Sequence, residues 1–320
     1  MIIVTGGAGF VGSNLIWGLN QIGLEDILVV DNLSQADKHR NLNSLKIADF
    51  LDKEDFLAEL PKLENVQTIF HQGACSSTTE TDGRYMMENN YQFSKTLLHY
   101  SLEKKIDFLY ASSASVYGDG SAGFREERTC EWPLNVYAFS KFSFDNYVRQ
   151  QLSQASSQVL GLRYFNVYGP NEEHKGNMRS VVSKAYEQIA STGEMTLFKS
   201  YHPEFGDGMQ MRDFLYVKDA VLMTIWLAES THANGLFNLG NGQARTWLDL
   251  GHSIFSALGK DPNIRFIEMP EILRDKYQYF TEAKIEKLRH AGYKNELFTL
   301  EDAVKDYVTH YLVPGRRLGS

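Results

Sequence analysis

Cysteine is scarce, long apolar runs are missing and positive charge is in deficit, and each shortage removes a class of function. Only Cys75 and Cys130 occur among 320 residues, in unrelated contexts. Two such thiols cannot build a metal cage, so no metal site is expected, and their scarcity fits a reducing compartment. No run of roughly eighteen consecutive apolar residues exists, so no membrane span is expected. The chain opens on Met1-Ile2-Ile3-Val4-Thr5-Gly6, with neither a basic region nor a cleavage site ahead of it. A signal peptide is therefore not expected, and the reading is cytoplasmic. A formal charge of −8 argues against a nucleic-acid partner, whose binding is driven by clustered Lys and Arg. An anionic small molecule stays open, because local basic residues can oppose the overall charge.

What remains is ordinary globular composition, 43% hydrophobic and 22% charged, long enough for one large core or two smaller ones packed together. Ile2–Val4, Ile27–Val30, Thr68–His71, Phe108–Ala111 and Val159–Tyr164 read as buried strands bounded by turn residues. Val11–Gln21, Asp52–Leu60, Tyr85–Lys104 and Val136–Gln151 carry helical spacing between them. Such alternation predicts an α/β fold: a Rossmann-type, doubly wound parallel sheet over residues 1–165. A smaller C-terminal α/β substrate lobe is expected over 166–314, with some elements returning to the main sheet. Its helices read as Met178–Ser191, Val217–Glu229, Trp247–Leu258 and Glu282–Ala291, its strands as Leu236–Leu239 and Ile264–Glu268, and Tyr201–Gln210 as a polar loop. The tail over 315–320 is expected to be frayed.

Gly6, Gly9 and Gly12 stand between the first strand and the first helix, in Gly7-Ala8-Gly9-Phe10-Val11-Gly12. Glycine makes the tight turn and lets backbone N–H groups approach a pyrophosphate at the positive end of a helix. A plain strand–helix turn is the bland alternative; Asp31, closing the second strand, favours the dinucleotide. That carboxylate ordinarily accepts from a ribose 2′-hydroxyl, which selects NAD. Yet Lys38 and Lys53 follow, and two cations would neutralise a 2′-phosphate unless they are solvated surface lysines. On the residues alone NAD and NADP stay level.

Tyr137 and Lys141 form a Tyr-x-x-x-Lys pair on one helix face, and Ser112 and Ser113 end a strand where α/β sheets place their chemistry. A tyrosine titrating near pH 10 needs a neighbouring ammonium to act as a base at neutral pH. Ser113 would hydrogen-bond the same substrate oxygen. Asn89 and the run Arg163–Pro170 extend this set. Asn166 could bond a sugar or phosphate oxygen, and Arg212 could clamp a pyrophosphate, the alternative being a local ion pair with Asp213.

These motifs resemble the extended short-chain dehydrogenases that remodel nucleotide sugars. Three further segments, His71–Glu80, Tyr85–Gln92 and His174-Lys175-Gly176, resemble the ADP-L-glycero-D-manno-heptose 6-epimerases more narrowly, and the likeness runs from Met1 to about Tyr311. The resemblance implies epimerisation at C6″ of ADP-D-glycero-β-D-manno-heptose, through transient oxidation by tightly held NADP, for the inner core of lipopolysaccharide. It implies Tyr137 and Lys175 as the two acid/base groups, with Ser113 and Lys141 assisting. Without it, Lys175 reads as part of a solvated charge run and His174 as structural. The resemblance tips the cofactor to NADP, with Asn32, Lys38 and Lys53 on the 2′-phosphate side. It adds Phe10, Val11, Gln72, Gly73, Ala74, Cys75, Ser76, Asn89, Val167 and Lys175 as cofactor contacts. It places Ser113, Asn166, Phe198, Lys199, Ser200, Tyr201, Arg212 and Tyr277 toward the substrate. Asn177 and Lys184 stand at substrate positions where the family carries Ser and His. A homo-oligomer, pentameric or decameric, is implied as well.

The nearest rival is a UDP-hexose 4-epimerase, which shares the Ser, Tyr and Lys; the Cys75–Thr79 segment and Lys175 speak against it. A dehydratase would want an Asp-Glu pair directly after the Ser/Thr, whereas Ala114 and Ser115 follow Ser113. A non-catalytic NADP-binding protein on the same fold has no use for Ser113, Tyr137, Lys141 and Lys175 together.

Overall fold

A computed structural model describes residues 1–274 and 277–319. The chain runs β1 (Ile2–Thr5), α1 (Phe10–Gln21), β2 (Ile27–Asp31), β3 (Asp49–Asp52), α2 (Lys53–Glu59), β4 (Thr68–His71), α3 (Gly83–Met87), α4 (Phe93–Lys104), β5 (Asp107–Ser113) and α5 (Val136–Gln151). It continues through β6 (Val159–Tyr164), β7 (Asn166–Tyr168), α6 (Val181–Thr192), β8 (Met195–Phe198), β9 (Met211–Tyr216), α7 (Val217–Glu229), β10 (Gly235–Leu239), β11 (Ala244–Thr246) and α8 (Trp247–Ala257). Strand β12 (Ile264–Ile267) and helices α9 (Glu271–Arg274), α10 (Glu286–His290) and α11 (Leu300–Tyr307) complete it.

Seven parallel strands form the main sheet in the order β10-β6-β5-β4-β1-β2-β3. Successive side chains alternate between its faces. Ile2, Val4, Ile27, Val29, Leu160 and Leu162 face α1 and α7 in one core, while Ile3, Leu28, Val30 and Val159 face α4 and α5 in another. That two-sided burial explains why β1, β2 and β6 read as continuous apolar runs. A separate core joins α6, α8 and α11 to β8 and β9 around Phe214, Leu250 and Tyr307. Two small sheets, β11-β9-β7 and β12-β8, complete this part, and β10 crosses back to pair with β6.

Several elements depart from the sequence reading for local reasons. The helix expected over Tyr85–Lys104 starts at Gly83, capped by Asp82, whose Oδ1 accepts from Tyr85 N at 3.0 Å. A π turn at Glu88–Gln92 then separates α3 from α4. The extra residue turns Asn89 toward one side while Asn90, 1% exposed, faces inward. Helix α6 begins later than Met178 because Ser180 caps it, accepting from Ser183 N at 3.2 Å. Residues 281–283 are not helical. They run beside β9, where Thr281 N donates to Met211 O at 3.2 Å and Ala283 N to Asp213 Oδ2 at 2.9 Å. The strands β3, β7, β8, β9 and β11, three to six residues long, escape the sequence reading. So does α11, although Leu300, Ala303, Val304 and Tyr307 mark one buried face. The tail is docked rather than frayed: Leu318 is 2% exposed and donates its N–H to Asn171 Oδ1 at 3.0 Å, and Arg317 pairs with Glu173 at 2.9 Å. None of the helices among the described residues is long and apolar enough to cross a membrane.

Gly18 lets α1 approach α7: a Cβ there would lie 2.4 Å from Val221 Cγ1. Helix propensity favours alanine by about 1 kcal/mol, whereas overpacking costs about 1–3 kcal/mol. Gly18→Ala is predicted to lower the urea midpoint without altering the slope; a raised midpoint would show that the interface yields.

Candidate active site

Strand order reverses between β1 and β4, and the loops leaving their carboxyl ends form the floor of a cavity of about 560 Å³. Gly6 adopts φ +69°, and a Cβ on it would lie 2.5 Å from Gly73 N; one on Gly12 would lie 2.1 Å from Gly6 O. These positions admit no side chain, so β1, α1 and the loop after β4 close tightly. Helix α1 starts at Gly9 with no side-chain cap and no acidic residue in its first turn. Its positive end therefore stays open for an anion.

The carboxylate of Asp31 is fully engaged at the end of β2. Its Oδ2 accepts from Ala8 N at 2.9 Å, and its Oδ1 from Asn32 N at 2.7 Å and Lys38 Nζ at 2.5 Å. Across the opening, Lys53 donates to the Asn89 amide oxygen and lies 5.5 Å from the Phe93 ring centroid. Lys53 meets no carboxylate among the described residues, so this end of the cavity carries a net positive charge.

Asn135 caps α5, accepting from Ala138 N at 2.8 Å, and the helix presents Tyr137, Lys141 and Asp145 one turn apart on the same face. Lys141 donates to Ala111 O of β5 at 2.7 Å. Burial pulls its ammonium down to about 8, against the opposing charges of Asp145 and Cys75. Burial raises the Tyr137 phenol above its ordinary value, while Ser113, close enough to hydrogen-bond it, pulls the other way.

Lys175 comes from the turn Glu173–Met178. Its ammonium lies 5.1 Å from the centroid of the Phe10 ring. Burial lowers its pKa, Glu172 raises it and Lys184 lowers it. The loop is shut by Glu172, wholly buried, whose carboxylate accepts from Ser180 N at 2.5 Å, Ser180 Oγ at 2.6 Å and Tyr307 OH at 3.0 Å. His174, read from sequence as structural, also lines the cavity, held neutral by burial and by Lys38, Lys175 and Arg317, which lower its pKa to about 4.

Every residue expected on the cofactor side lines this cavity, as do Ser113, Tyr137 and Lys141. Thr5, Gln35, Tyr85 and Phe93 line it as well and were not anticipated, as does Tyr164 from the run Arg163–Pro170; the signal for the first four was adjacency to the named strand ends and helix face. The Gln72 amide comes near enough to Tyr164 to ease its ionisation, yet neither of its polar atoms meets a partner at hydrogen-bonding geometry. A buried amide facing a cavity in this way is available to a ligand.

The expected substrate residues are scattered. Asn166 lines a second cavity of about 230 Å³, which shares Val167 and Met178 with the first. Arg212, 8% exposed, stacks 5.5 Å from the Trp247 centroid and 5.2 Å from that of Tyr277. The local Arg212–Asp213 ion pair does not form. Asp213 turns away to accept from Asn241 N at 2.6 Å and from Gly242 N and Ala283 N at 2.9 Å. Arg212 thus makes no ion pair among the described residues. Asn177, Lys184, Phe198, Lys199, Ser200 and Tyr201 line neither cavity. Lys199 pairs with Glu268 at 2.7 Å, and Tyr201 donates to the same carboxylate beneath Arg274. Neither Cys75 nor Cys130 forms a disulfide, and no metal-binding cluster occurs among the described residues.

Residues 2–240 match the model of the NAD dependent epimerase/dehydratase family. The chain is 48% identical over 313 residues to an ADP-L-glycero-D-manno-heptose-6-epimerase of Brachyspira hyodysenteriae, covering 96% of each sequence. A protein of the same name from Nitratidesulfovibrio vulgaris is 48% identical over 320 residues, with 98% of each covered. Among solved structures, the ADP-L-glycero-D-manno-heptose-6-epimerase of Helicobacter pylori superposes with a TM-score of 0.83 at 32% identity, over 97% of this chain and 95% of that one.

At the foot of the cavity His71 bonds Thr5 Oγ1 at 2.6 Å and Ser94 Oγ at 2.8 Å. Burial, then Lys141 and Lys53, hold its pKa at about 3. For a base with a depressed folded pKa, the stability it supports is complete above the unfolded value near 6.5 and is lost as pH falls toward 3. His71→Asn is predicted to remove about one proton's worth of slope from the unfolding free energy across that window. An unchanged slope in chemical denaturation would mean that His71 does not carry it.

Proposed function

The chain belongs to the NAD dependent epimerase/dehydratase family and, within it, to the ADP-L-glycero-D-manno-heptose-6-epimerases, and from that premise we propose how its cavity performs the inversion. The enzyme is an isomerase that converts ADP-D-glycero-β-D-manno-heptose to the L-glycero epimer at C6″, a step toward the lipopolysaccharide inner core. The observation that carries this reading is the meeting of Ser113, Tyr137, Lys141 and Lys175 on the wall of one cavity whose floor is a glycine turn. A nicotinamide cofactor, held by the glycine turn with Gln72 and Asn89 in this cavity, would supply the hydride acceptor and donor for reversible oxidation at C6″.

The open end of α1 and the backbone around Gly9 suit the pyrophosphate, and Gln72 and Asn89 suit the remaining polar groups. We assign the cofactor as NADP. Asp31 is already met by Lys38 and two backbone N–H groups, so its charge does not repel a 2′-phosphate, and Lys53 supplies the surplus cation.

Inversion needs proton transfer to and from epimeric hydroxyls, which one fixed base serves badly. Tyr137 and Lys175 reach the cavity from different elements and divide the task. Lys141 keeps its proton at neutral pH and, beside Tyr137, favours the phenolate that burial alone opposes. Ser113 holds the reacting oxygen. Lys175, eased toward its neutral form by burial, takes the proton of the other epimer. Arg212 and the second cavity receive the ADP part, in a lobe over 166–314 set against the cofactor domain over 1–165. The family reading also makes the enzyme a cytoplasmic homo-oligomer, pentameric or decameric.

The decisive assay supplies ADP-D-glycero-β-D-manno-heptose without added cofactor and follows the C6″ configuration by NMR. The L-glycero epimer is expected; its absence even with NADP added, or turnover of UDP-hexoses instead, would reject the substrate. Tyr137→Phe and Lys175→Met are each predicted to slow epimerisation by about 10²–10⁴-fold with cofactor still bound. Near-wild-type rates in both would contradict the two-base division. Lys53→Ala should weaken NADP by about 10- to 100-fold, the loss of one charge-assisted bond, and NAD far less. Equal weakening of both in fluorescence titration would contradict the 2′-phosphate assignment.

A further inference from the structure

Beneath the cavity lies a web of charge whose ionised members, Asp145, Arg163, Glu131 and Arg149, line neither cavity, although Ser112, which bonds to it, lines the first. Asp145 on α5 is fully buried. Its Oδ1 accepts from Tyr110 OH at 2.9 Å, and its Oδ2 from Ser112 Oγ at 2.9 Å and from Arg163 Nε and Nη2 at 2.9 and 2.8 Å. Arg163 on β6, equally buried, also donates to Tyr117 OH at 2.9 Å and to Glu131. Tyr117 in turn donates to Asn238 of β10 at 2.6 Å, and Glu131 also receives Arg149 from α5. One helix and three strands are thereby fastened together at a single point.

Stability does not require this arrangement. Well-packed apolar side chains of similar volume often serve a buried site equally well or better than a buried ion pair. A buried charge web fixes geometry instead, since its bonds are directional and none can be dropped cheaply. The geometry in question is that of the reacting groups. Tyr137, Lys141 and Asp145 repeat every fourth residue on α5, and Ser112, which bonds Asp145, adjoins Ser113 on β5.

We infer that Asp145, locked to Arg163, is a positioning residue for the reaction, setting where α5 presents Tyr137 and Lys141 against Ser113. The inference rests on the proposed roles of those three residues. Asp145 also acts on Lys141 through its charge. The titratable groups facing that ammonium are Asp145 and Tyr137 from α5, Cys75 from the loop after β4 and His71 from β4. Of these, Asp145 is the larger opposing influence against the burial that holds Lys141 at about 8, and Cys75 the smaller.

The test compares wild type, Asp145→Asn, Asp145→Glu and Ser112→Ala, each first checked for a cooperative thermal transition. For Asp145→Asn we expect kcat to fall on the order of 10²-fold, as for displaced reacting groups, with little change in KM. The alkaline limb of its kcat profile should move to lower pH, because Lys141 loses the carboxylate that favours its charged form. Asp145→Glu should restore that limb toward its wild-type position. Ser112→Ala, which removes one bond and no charge, should lower kcat without moving the limb. Lys141 is also titrated directly by NMR of ¹³Cε-lysine-labelled protein, assigned with Lys141→Arg. That signal needs no substrate, so it reports on Asp145 even if the heptose assay fails and the proposed function falls with it. A folded Asp145→Asn with wild-type kcat and an unmoved Lys141 titration overturns the inference. If Asp145→Asn does not fold, wild-type kcat in Ser112→Ala overturns it.

Discussion

A charge withdrawn from water must be met by another charge or by several hydrogen bonds, and Arg163 and Asp145 are both withdrawn completely. Each is the other's partner, so β6 and α5 can lie in only one relation to each other. Strand β5, held between β6 and β4 by parallel pairing, brings Ser113 to the same height. The site above is then a consequence: a helix placed by its buried lower turn carries Tyr137 and Lys141 on the turns above it. Those residues are partly desolvated because the sheet end is enclosed, which lowers Lys141 and raises Tyr137. Burial thus makes the phenol a poor base by itself and makes a neighbouring positive charge necessary.

The same economy governs the cofactor end. Asp31 closes β2, and its two oxygens tie the glycine turn to Lys38. A carboxylate that would select one ribose over another in isolation becomes a structural tie once a lysine seven residues on folds back over it. On the proposed NADP assignment, specificity there follows from the summed charge of Asp31, Lys38 and Lys53, and not from any one of them.

Much of this was legible in the sequence because it is local. The Gly6–Gly12 spacing, the Tyr137–Lys141 pair and the strand ends at Asp31, His71 and Ser113 need only one turn or one strand to be read. The structure gathers these residues around one cavity, except His71, which sits behind Thr5. The substrate side was not legible to the same degree. The alternative of an Arg212–Asp213 ion pair rested on adjacency alone, but adjacent residues on β9 point to opposite faces, so Asp213 meets backbone from residues 241–283 while Arg212 stacks on Trp247 and Tyr277. Lys199 and Tyr201 are drawn to Glu268 because β8 pairs with β12, a long-range register that no local pattern announces. The docked tail was missed for a related reason: the Leu318 backbone is held by Asn171 and Ser44, far away in sequence.

The proposed inversion proceeds by hydride removal and return within one cavity, with Tyr137 and Lys175 moving only hydroxyl protons. It is tested most directly by running the epimerisation to equilibrium in D₂O and measuring deuterium at C6″ of the product by NMR. The account predicts that the C6″ hydrogen is retained, with no solvent deuterium at that carbon. Deuterium at C6″ in proportion to turnover would mean that the carbon is inverted by proton exchange, and would contradict it.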